Sequence, residues 1–379
     1  MTQPPQKRLL LISSFAESLV NFRLALMKDA IADGFEVHAF GPDISPDIMA
    51  TLRDAGIHAH TISLSRNGLN PLADLTTLWS IYRLIRNIRP SHVLSYTIKP
   101  VIYGSLAARL VGVEKIGALI TGLGYAFMQS NSKTQRVVGK IAQSLYRLAL
   151  SGASVVFFQN PDDRNLFVDN RIVVAPKCRL VNGSGIDIRQ FAQSPIPKGD
   201  TIDFLMIGRI IADKGVREFA EAAQLITAQY PNARFHLVGW LDTNPSAIQQ
   251  SELDQWISSG AIKFHGKLSD VRQVIKDSHV YVLPSYREGT PRTVLEAMAI
   301  GRAIITTDAP GCRETIRHEK SGMLIPVADV KGLVQAIQRY IESPELIDEH
   351  GAAARARAED VYDVTKVNRD MLRGLQDLA

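Results

Sequence analysis

The sequence predicts an α/β protein of two doubly wound domains, each a parallel sheet with helices on both faces. Three observations support this fold class. Short apolar runs alternate with longer amphipathic stretches, which is the pattern of strand–helix–strand units in a buried parallel sheet. The alternation stops once, in a turn-rich segment, and then starts again. The length of 379 residues also fits two domains, at roughly 150 residues each.

In the first half, apolar runs of about 4–8 residues predict buried strands, and longer stretches with helical periodicity predict helices. The third of these helices ends where Pro90 follows Arg89, because a residue before proline is disfavoured in the helical region. The predicted strands are Leu9–Ile12, Glu36–Phe40, Ala59–Ile62, His92–Tyr96, Ile116–Ile120 and Val155–Phe158, and the predicted helices are Leu19–Ala32, Pro46–Ala55, Leu72–Ile88, Val101–Leu110 and Gln135–Leu150.

A break follows. Asn182–Gly185 reads N-G-S-G, and Gln193–Asp200 contains two prolines and a glycine, a composition that predicts a linker. After it, the predicted strands are Phe204–Ile207, Arg234–Val238, Ile262–Phe264, Val280–Leu283 and Ala303–Thr306, and the predicted helical stretches are Gly215–Gln229 and Leu333–Leu378. We therefore expect one domain over residues 1–185, a second over 186–360, and a terminal helix over 361–379 that packs back on the first. The cleft between two such domains is the expected ligand site.

Composition excludes several classes of protein. With 46% hydrophobic and 21% charged residues, the chain is neither disordered nor a fibre. Its two cysteines, Cys178 and Cys312, match no metal or redox spacing. The apolar run near the N-terminus is too short for a signal peptide, and none approaches the roughly 18 residues of a membrane span. We expect a cytoplasmic protein, at most peripheral to a membrane.

The net charge of +5 is too small to indicate nucleic-acid binding. It is unevenly divided, however. Residues 1–185 hold 20 Lys and Arg against 12 Asp and Glu, a net of +8, whereas residues 186–379 hold 23 against 26, a net of −3. This division suggests that only the first half faces an anionic partner.

A first motif, Gly208–Gly215 (G-R-I-I-A-D-K-G), follows a predicted strand and opens a predicted helix. Arg209 and Lys214 flank this turn beside a helix N-terminus, where free amides favour anions. Arg209 can bind a diphosphate bidentately, with Lys214 as a point charge. Alternatively, both are ordinary loop cations, and Asp213 only caps the helix.

A second motif, Pro284–Ala299, follows another strand at the edge where open α/β sheets bind ligands. Thr290 is the predicted N-cap of a helix and Pro291 its first residue. Glu288 then lies in the preceding loop, and Glu296 lies on an otherwise apolar part of the helix. Such a carboxylate either binds a ligand hydroxyl or pairs with a cation; the alternative is a capping acid and an exposed glutamate.

Together, the two motifs resemble the retaining GT-B glycosyltransferases of the large bacterial family 4 type. Those enzymes carry G-R-x-x-x-x-K-G and E-x-G-x-P…E, with seven residues between the glutamates, as between Glu288 and Glu296 here. The first half is most similar to the branch that transfers N-acetylhexosamines, including N-acetylgalactosamine, onto undecaprenyl-diphosphate-linked acceptors. Ser13–Arg23, Tyr96–Pro100 and Ile120–Phe127 carry this second resemblance.

The resemblance implies a GT-B fold and roles for individual residues. Arg209, Lys214 and Glu288 would be catalytic, with the two cations on the donor diphosphate and Glu288 facing the transferred sugar. Glu296 would bind the ribose, and His265–Leu268 would hold the uracil, mostly through backbone contacts. Many relatives have a histidine where this chain has Thr121, so that donor contact is open. The implied donor-site residues are Gly208, Arg209, Lys214, His265, Gly266, Lys267, Leu268, Glu288, Gly289, Thr290, Pro291 and Glu296, and the acceptor-side candidates are Ser13, Ser14, Asn21, Lys99, Thr121, Gly122 and Tyr125.

The implied reaction is transfer of a sugar from a UDP-sugar to a lipid-linked or polysaccharide acceptor in surface glycan biosynthesis, with retention of configuration. The chain contains no Asp-x-Asp motif of the kind that holds a divalent cation. We therefore expect no metal and no cofactor, with fixed cations stabilising the leaving diphosphate. Retention through a covalent intermediate on Glu288 and front-face attack both remain open.

The predicted helix of residues 131–150 is amphipathic. Lys133, Arg136, Lys140 and Arg147 lie on one side, and Val137, Val138, Ile141, Leu145 and Leu148 on the other. A basic surface in a half with net charge +8 fits docking on an anionic membrane and a polyprenyl-diphosphate-linked acceptor. The expected location is the inner face of the cytoplasmic membrane; the alternative is a solvated face of a core helix.

Three other functions compete. A UDP-N-acetylhexosamine epimerase of GT-B architecture would use the same donor without a lipid-facing surface. A dinucleotide-dependent dehydrogenase is disfavoured because no Gly-x-Gly-x-x-Gly follows the first strand. A non-catalytic subunit that binds a nucleotide sugar would not need Glu288.

Overall fold

The computed structural model describes residues 6–61, 71–123, 133–242 and 246–376. The chain forms two compact units. The first comprises Met1–Ser184 together with Thr365–Ala379, and the second comprises Gly185–Val364.

The first unit contains a parallel sheet of seven described strands in the order β3-β2-β1-β4-β5-β6-β7. The central strand β1 pairs in parallel with both β2 and β4, so that Leu9 lies opposite Val37 on one side and His92 on the other. The strands are β1 (Arg8–Ile12), β2 (Glu36–Gly41), β3 (His58–Thr61), β4 (His92–Tyr96), β5 (Lys115–Ile120), β6 (Val155–Phe158) and β7 (Cys178–Leu180), and the helices are α1 (Ala16–Ala32), α2 (Pro46–Asp54), α3 (Pro71–Ile88), α4 (Ile98–Val111), α5 (Lys133–Ser151), α6 (Pro161–Asp169) and α13 (Val364–Gln376).

Buried residues cover both faces of this sheet, as expected for parallel strands. On one face, Leu94, Leu119 and Phe157 form a core with Met371 and Leu375 of α13. On the other face, helices α3, α4 and α5 supply most of the packing. The predicted strands and helices of this half are confirmed with small shifts at their ends, whereas α6 and β7 were not predicted.

The second unit contains six described strands, all parallel, in the order β10-β9-β8-β11-β12-β13. The helical stretch predicted over Leu333–Leu378 is divided into three helices, and β13 was not predicted. The strands are β8 (Ile202–Ile210), β9 (Ala233–Leu241), β10 (Lys263–Phe264), β11 (Val280–Leu283), β12 (Ala303–Thr307) and β13 (Met323–Ile325), and the helices are α7 (Val216–Thr227), α8 (Gln250–Ser258), α9 (Arg272–Lys276), α10 (Arg292–Ile300), α11 (Val330–Glu342) and α12 (Glu345–Val361). The fold is thus two doubly wound α/β units, as the sequence predicts.

The segment Gln193–Asp200, whose composition predicts a linker, is packed as part of the second unit and lies within the bounds expected for that domain. The fully buried Arg302 donates hydrogen bonds to the carbonyl oxygens of Ser194 and Pro195, both at 3.0 Å. Burial lowers the pKa of Arg302 to about 10. A linker composition did not reveal this packing, because proline and glycine exclude regular structure but do not decide whether an irregular segment packs against a core.

The segments at which the chain enters and leaves the second unit are joined to each other by two backbone hydrogen bonds. Ile186 N donates to Tyr362 O at 2.7 Å, and Val364 N donates to Ile186 O at 3.0 Å. Gly185 has φ of +67°, and a Cβ at this position would lie 2.6 Å from Val364 Cα. Only glycine fits this approach, which explains the glycine that ends the N-G-S-G turn.

None of the helices within the described parts of the chain combines the length and the apolar composition needed to cross a bilayer.

Candidate active site

The loop after β8 carries Lys214 to the carboxyl edge of the six-stranded sheet. Ala212–Lys214 form one 3₁₀ turn, and Gly215 joins this turn to α7 with φ of +74°. A Cβ at Gly215 would lie 2.1 Å from the carbonyl oxygen of Pro284, so only glycine fits. Asp213 does not cap α7, since Gly215 occupies the cap position.

Lys214 forms an ion pair with Glu288. The same carboxylate oxygen, Oε1, lies 2.7 Å from the hydroxyl of Ser285. The side chains of Lys214 and Glu288 are only 20% and 12% exposed, which reduces screening by solvent. Glu288 of the second motif is thus in direct contact with Lys214 of the first motif. Ser285 was not predicted, because no local pattern marks a serine that contacts a carboxylate.

Gly311 supports the loop that holds Glu288. Its φ is +83°, and a Cβ would lie 2.2 Å from Glu288 O and 2.4 Å from Gly289 O. Glu288 N donates to Pro310 O at 2.9 Å in the same region. The backbone on both sides of Glu288 is therefore tightly packed, which limits where its carboxylate can lie.

Arg209 lies near the end of β8, and its Nη1 donates to Asp242 Oδ2 at 3.0 Å. Trp240 is in register with Arg209 on the neighbouring strand, so the two side chains leave the sheet on the same face. The indole of Trp240 is 43% exposed, and Lys267 Nζ lies 5.1 Å from its ring centroid. An exposed indole beside two cations is suited to stack on a planar ligand. Neither Trp240 nor Asp242 was predicted, since both depend on the pairing of β8 with β9.

Glu296 is 8% exposed on α10, and Arg292 Nε donates to its Oε1 at 3.1 Å. Burial raises the pKa of the Glu296 carboxyl, and the charge of Arg292 lowers it in part. The sequence indicated either a ligand hydroxyl or a cation as the partner of Glu296. In this structure the partner is a cation, Arg292. The helix begins one residue later than predicted, with Pro291 at the N-cap position instead of Thr290. Proline has no N–H to donate, so it is well suited to this place before the first full turn.

The segment His265–Leu268 follows β10 and is joined to β9 through its backbone. Gly239 N donates to Gly266 O, and His265 N donates to Leu237 O, each at 2.9 Å. Leu268 is 36% exposed. The segment predicted to hold the uracil therefore lies at the carboxyl end of β9, next to the exposed indole of Trp240.

His265 also ends a row of polar side chains that crosses four neighbouring strands, which we call the polar row. His265 Nε2 lies 3.0 Å from His236 Nδ1, and His236 Nε2 lies 2.8 Å from Asp203 Oδ1. On the other side, His279 Nδ1 lies 3.4 Å from Asp203 Oδ2. Burial alone would raise the pKa of Asp203. The hydrogen bonds with His236 and His279 lower this pKa by more than burial raises it, so the net shift is downward.

In the first unit, several acceptor-side candidates lie where β1, β4 and β5 end, at neighbouring places along one sheet edge. Ser13 is buried, with its hydroxyl 2.9 Å from that of Ser18. Lys99 Nζ donates to Asp74 Oδ1 at 3.0 Å, with both side chains at most 15% exposed. Thr121 and Gly122 directly follow β5 and are half-buried. Asn21 is exposed on α1, away from these strand ends along the chain, and Tyr125 lies outside the described residues.

Ser14 contacts Thr97, whose backbone is strained. The two hydroxyl oxygens are 2.7 Å apart, and Thr97 has φ of 70° and ψ of 161°, a region that normally requires glycine. Thr97 immediately precedes α4 and lies in the Y-T-I-K-P segment. Such strain concentrates at functional sites, but its location cannot be read from residue types.

Helix α5 faces the solvent differently from the prediction. Val137, Ile141 and Leu148 are 56%, 45% and 54% exposed, so they share the solvent-facing side with the cations, whereas the sequence placed them on the other side of the helix. The buried side is formed by residues such as Gly139, Tyr146 and Ala149, while Val138 and Leu145 are half-buried. Their exposure was not predicted, because the periodicity of a helix does not distinguish a buried apolar face from an exposed one. Arg136, Lys140 and Arg147 are exposed, and Lys133 begins α5, with its side chain outside the description.

Within the described ranges, no group of three or more His, Cys, Asp or Glu side chains is arranged to hold a metal ion. Both cysteines are buried, and burial raises the pKa of the Cys312 thiol to about 12. Cys312 is therefore protonated at neutral pH and unsuited to act as a nucleophile.

Comparison with known proteins assigns the class of enzyme. The family model described as "Glycosyl transferase 4-like" matches residues 8–160, and the one described as "Glycosyl transferases group 1" matches residues 201–343. Sucrose-phosphate synthase from Thermosynechococcus elongatus has the same fold, with a TM-score of 0.80 at 18% identity over 98% of this chain and 99% of that one. HepE of Anabaena in complex with UDP aligns with a TM-score of 0.76 at 18% identity, over 98% of this chain and 100% of its own. The chain is a GT-B glycosyltransferase.

Two similar proteins show which glycosyltransferases this chain resembles in sequence. The N,N'-diacetylbacillosaminyl-diphospho-undecaprenol alpha-1,3-N-acetylgalactosaminyltransferase of Campylobacter jejuni is 29% identical over 88% of this chain and 89% of its own length. The UDP-Gal:alpha-D-GlcNAc-diphosphoundecaprenol alpha-1,3-galactosyltransferase of Escherichia coli is 27% identical over 77% of each chain. With one family model matching each half, the chain belongs to the group 1, GT4-like glycosyltransferases. The resemblance to GT-B glycosyltransferases of the family 4 type is confirmed, and these matches favour a transferase over an epimerase.

Proposed function

We propose that this enzyme transfers an N-acetylhexosamine, with retention and without a metal ion, from a UDP-sugar to a polyprenyl-diphosphate-linked acceptor. The observation that carries the proposal is the cluster of Arg209, Lys214, Glu288 and Glu296 at one edge of the six-stranded sheet. The names of the Campylobacter and Escherichia coli relatives support the acceptor class, since both act on sugars linked to undecaprenyl diphosphate.

Cleavage of a glycosyl–phosphate bond leaves negative charge on the departing diphosphate. Arg209 and Lys214 place two cations where this charge develops, and amides at the start of α10 add dipoles. Both cations are paired in the resting enzyme, with Asp242 and Glu288. Donor binding would therefore exchange a carboxylate for a phosphate at Arg209, and add a second anion beside Lys214.

The nucleoside end of the donor would lie along the end of β9. Trp240 supplies an exposed ring for the uracil, and the neighbouring 265–268 segment supplies backbone groups at its edge. Glu296 would accept hydrogen bonds from the ribose hydroxyls, with Arg292 holding the carboxylate in place at 3.1 Å. This arrangement supports a pyrimidine nucleoside diphosphate as the donor's leaving group.

For the stereochemistry, we favour front-face attack. The bond between the anomeric carbon and the donor phosphate breaks, the acceptor oxygen bonds to the same face, and its proton passes to the departing phosphate oxygen. Glu288 Oε1 already contacts Lys214 and Ser285, and these contacts make its lone pairs less available to attack carbon. Its role would be to stabilise positive charge on the sugar and to position Lys214.

The acceptor would meet the carboxyl edge of the first unit, near Ser14, Thr97 and Lys99. Because a polyprenyl chain is anchored in a bilayer, the enzyme would act as a peripheral protein on the inner face of the cytoplasmic membrane. The exposed cations of α5 and the net charge of +8 over residues 1–185 support an anionic surface as the partner.

The test uses the purified enzyme with UDP-N-acetylgalactosamine or UDP-N-acetylglucosamine and a short polyprenyl-diphosphate-linked monosaccharide in detergent. We expect UDP release and a product heavier by one N-acetylhexosamine, an α-linkage by NMR, and the same rate in excess EDTA. A β-linkage or loss of turnover that magnesium restores would overturn the corresponding part of the proposal. The donor alone should give no epimer; an epimer formed without acceptor would favour the rival function.

A further inference from the structure

Exposed aliphatic and cationic side chains share the outer face of α5. Ile141 and Leu148 lie seven residues apart, and Arg136, Lys140 and Arg147 are exposed on the same side of the helix. A helical face that presents large aliphatic groups and cations, without acids, is typical of helices that lie in a membrane interface.

A concavity of about 560 Å³ continues this face at the end of α5, between the helix and the segment that follows α6. Its floor is aliphatic and its rim is cationic. Val174, which is 60% exposed, lies at its margin. The lining residues that matter here are Leu150, Val168 and Val173 on the floor and Arg147, Arg171 and Lys177 on the rim.

Two of the three rim cations, Arg147 and Lys177, are held by neutral carbonyl groups. Arg147 donates from Nε to Arg171 O and from Nη2 to Asn170 O, both at 2.9 Å. Lys177 Nζ donates to Ser151 O at 2.9 Å. Throughout the described chain, no carboxylate forms an ion pair with Arg147, Arg171 or Lys177. The carbonyl oxygens fix the positions of the Arg147 and Lys177 side chains without neutralising their charges.

The local charge has one sign. Residues 133–151 and 171–181 contain seven Lys and Arg and no Asp or Glu. A second copy of this surface would bring cations against cations, which disfavours a symmetric dimer through it. An anionic partner with apolar chains matches both the charge and the exposed aliphatic groups.

We propose that this surface, formed by α5 and residues 170–177, docks on an anionic phospholipid bilayer. Ile141, Leu148 and Val174 would enter the boundary between headgroups and acyl chains. The concavity would receive the phosphate of one phospholipid, with Arg147 and Lys177 on that phosphate. The inference rests on the proposed function only for the presence of a membrane-anchored acceptor; the surface itself is argued from its own residues.

The experiment measures binding of the whole enzyme to vesicles by flotation. Wild type should bind vesicles that contain phosphatidylglycerol, and should bind phosphatidylcholine vesicles at least tenfold more weakly. Because the aliphatic groups are immersed, part of the binding should persist in about 0.5 M salt, at which charges are screened within a few ångströms. Equal binding to both vesicles would overturn the proposal, as would complete loss of binding in salt.

Two sets of variants assign the effect to this surface. Replacing Ile141, Leu148 and Val174 by Gln should remove the salt-resistant part, and Arg147→Gln with Lys177→Gln should weaken binding by about 25-fold, or fivefold for each cation. The matched controls are Gln at Leu225, Ile257 and Val327, which are 46%, 38% and 38% exposed in the second unit, and Lys320→Gln with Lys331→Gln. Controls that weaken binding as much as the tested variants would contradict the assignment.

Transfer to the short acceptor in detergent separates this inference from the proposed function. The aliphatic variant should keep the wild-type rate there and lose activity only with acceptor in vesicles. If the wild type binds vesicles as expected but transfers no sugar, the proposed function fails and the docking surface stands. If light scattering shows a dimer that the Ile141 variant abolishes, the surface is an interface between copies and the docking proposal fails.

Discussion

The carboxyl edges of the two sheets are built from different chemistry. In the second unit, cations meet carboxylates across loops, as Arg209 does with Asp242 and Lys214 with Glu288. Among the described residues of the first unit, the contacts at this edge include hydroxyl pairs, Ser13 with Ser18 and Ser14 with Thr97, as well as the ion pair of Lys99 with Asp74.

This difference indicates that the edge of the second unit suits a charged ligand, whereas the edge of the first unit suits the positioning of neutral groups. Paired charges hold each other in place and respond strongly when a diphosphate arrives or leaves. Hydroxyl contacts are weaker, at about 0.5–1.5 kcal/mol each, but they orient neighbouring groups. A donor that breaks at a phosphate and an acceptor that offers a hydroxyl would need these two environments respectively.

The largest expected effect tests the charged edge. Lys214→Ala should lower kcat by about 100-fold or more, because it removes a cation from the developing charge. Lys331→Ala, an exposed lysine of α11, should leave kcat unchanged. The double variant Lys214→Gln, Glu288→Gln separates two roles: if Lys214 served only to neutralise Glu288, activity would return, and our interpretation would be wrong.

The next effect tests the packing behind Glu288. Gly311→Ala should lower the free energy of unfolding by about 2–4 kcal/mol, since it combines a positive φ with steric overlap on Glu288 O. Gly260→Ala is the matched control: it has φ of +75° and nothing within 4 Å of the added Cβ. Its cost should be only about 1 kcal/mol. Equal losses, measured by chemical denaturation, would show that the close approach does not matter.

A third prediction concerns pH and the polar row of the second unit. The pKa of Asp203 is lowered on folding, so its ionised form stabilises the protein above the unfolded pKa of about 3.9. This stability is lost as the pH falls below about 4. Asp203→Asn should cost about 2 kcal/mol at pH 7 and less at pH 3, because the stability is lost progressively as the pH falls from about 4 towards the folded pKa; urea denaturation measures both values.

The control for this prediction is Asp270, whose pKa is lowered to about 2 by Arg272. Its side chain is 52% exposed, so solvent screens the pair. Asp270→Asn should therefore cost less than about 1 kcal/mol at either pH. A loss at Asp203→Asn that does not change with pH would contradict the role of the ionised carboxylate.

The smallest expected effect tests the hydroxyl edge. Thr97→Gly removes backbone strain but also a hydroxyl contact, so stability should change by less than about 1 kcal/mol. The KM for the acceptor should rise several-fold, because Ser14 loses its partner. Thr51→Gly, at an ordinary helical position in α2, should cost about 1 kcal/mol without changing KM. A larger loss of stability at Thr97 than at Thr51 would show that its backbone is not strained.

Most of the fold could be predicted because each buried parallel strand leaves a continuous apolar run in the sequence. The missed elements are short or exposed: β7 and β13 have three residues each, and α6 is a nine-residue helix with a low apolar content. The exposure of Val137, Ile141 and Leu148 on α5 was not predicted, because a helix that displays apolar groups to solvent has the same periodicity as one that buries them.

The motifs indicated which residues form the candidate site, but not which side chains those residues contact. The spacing of Glu288 and Glu296 is local and can be read from the chain, whereas Lys214 meets Glu288 across 74 positions and Arg209 meets Asp242 across 33. Contacts at such distances follow from strand order, and residue types alone do not encode them. Trp240 and Thr97 were missed for related reasons, since one depends on strand register and the other on a backbone conformation.

The discontinuous first unit has a consequence for how the protein is made. Met371 and Leu375 of α13 complete a core with Leu94, Leu119 and Phe157, yet they leave the ribosome only after the whole second unit. Domains generally fold during synthesis as their residues emerge. Here the second unit can complete its fold before the first unit does, and until α13 is synthesised an apolar surface of the first unit stays uncovered. A fragment that stops at Ser184 would keep that surface exposed, and chaperone dependence should fall on the part of the chain that is synthesised earliest.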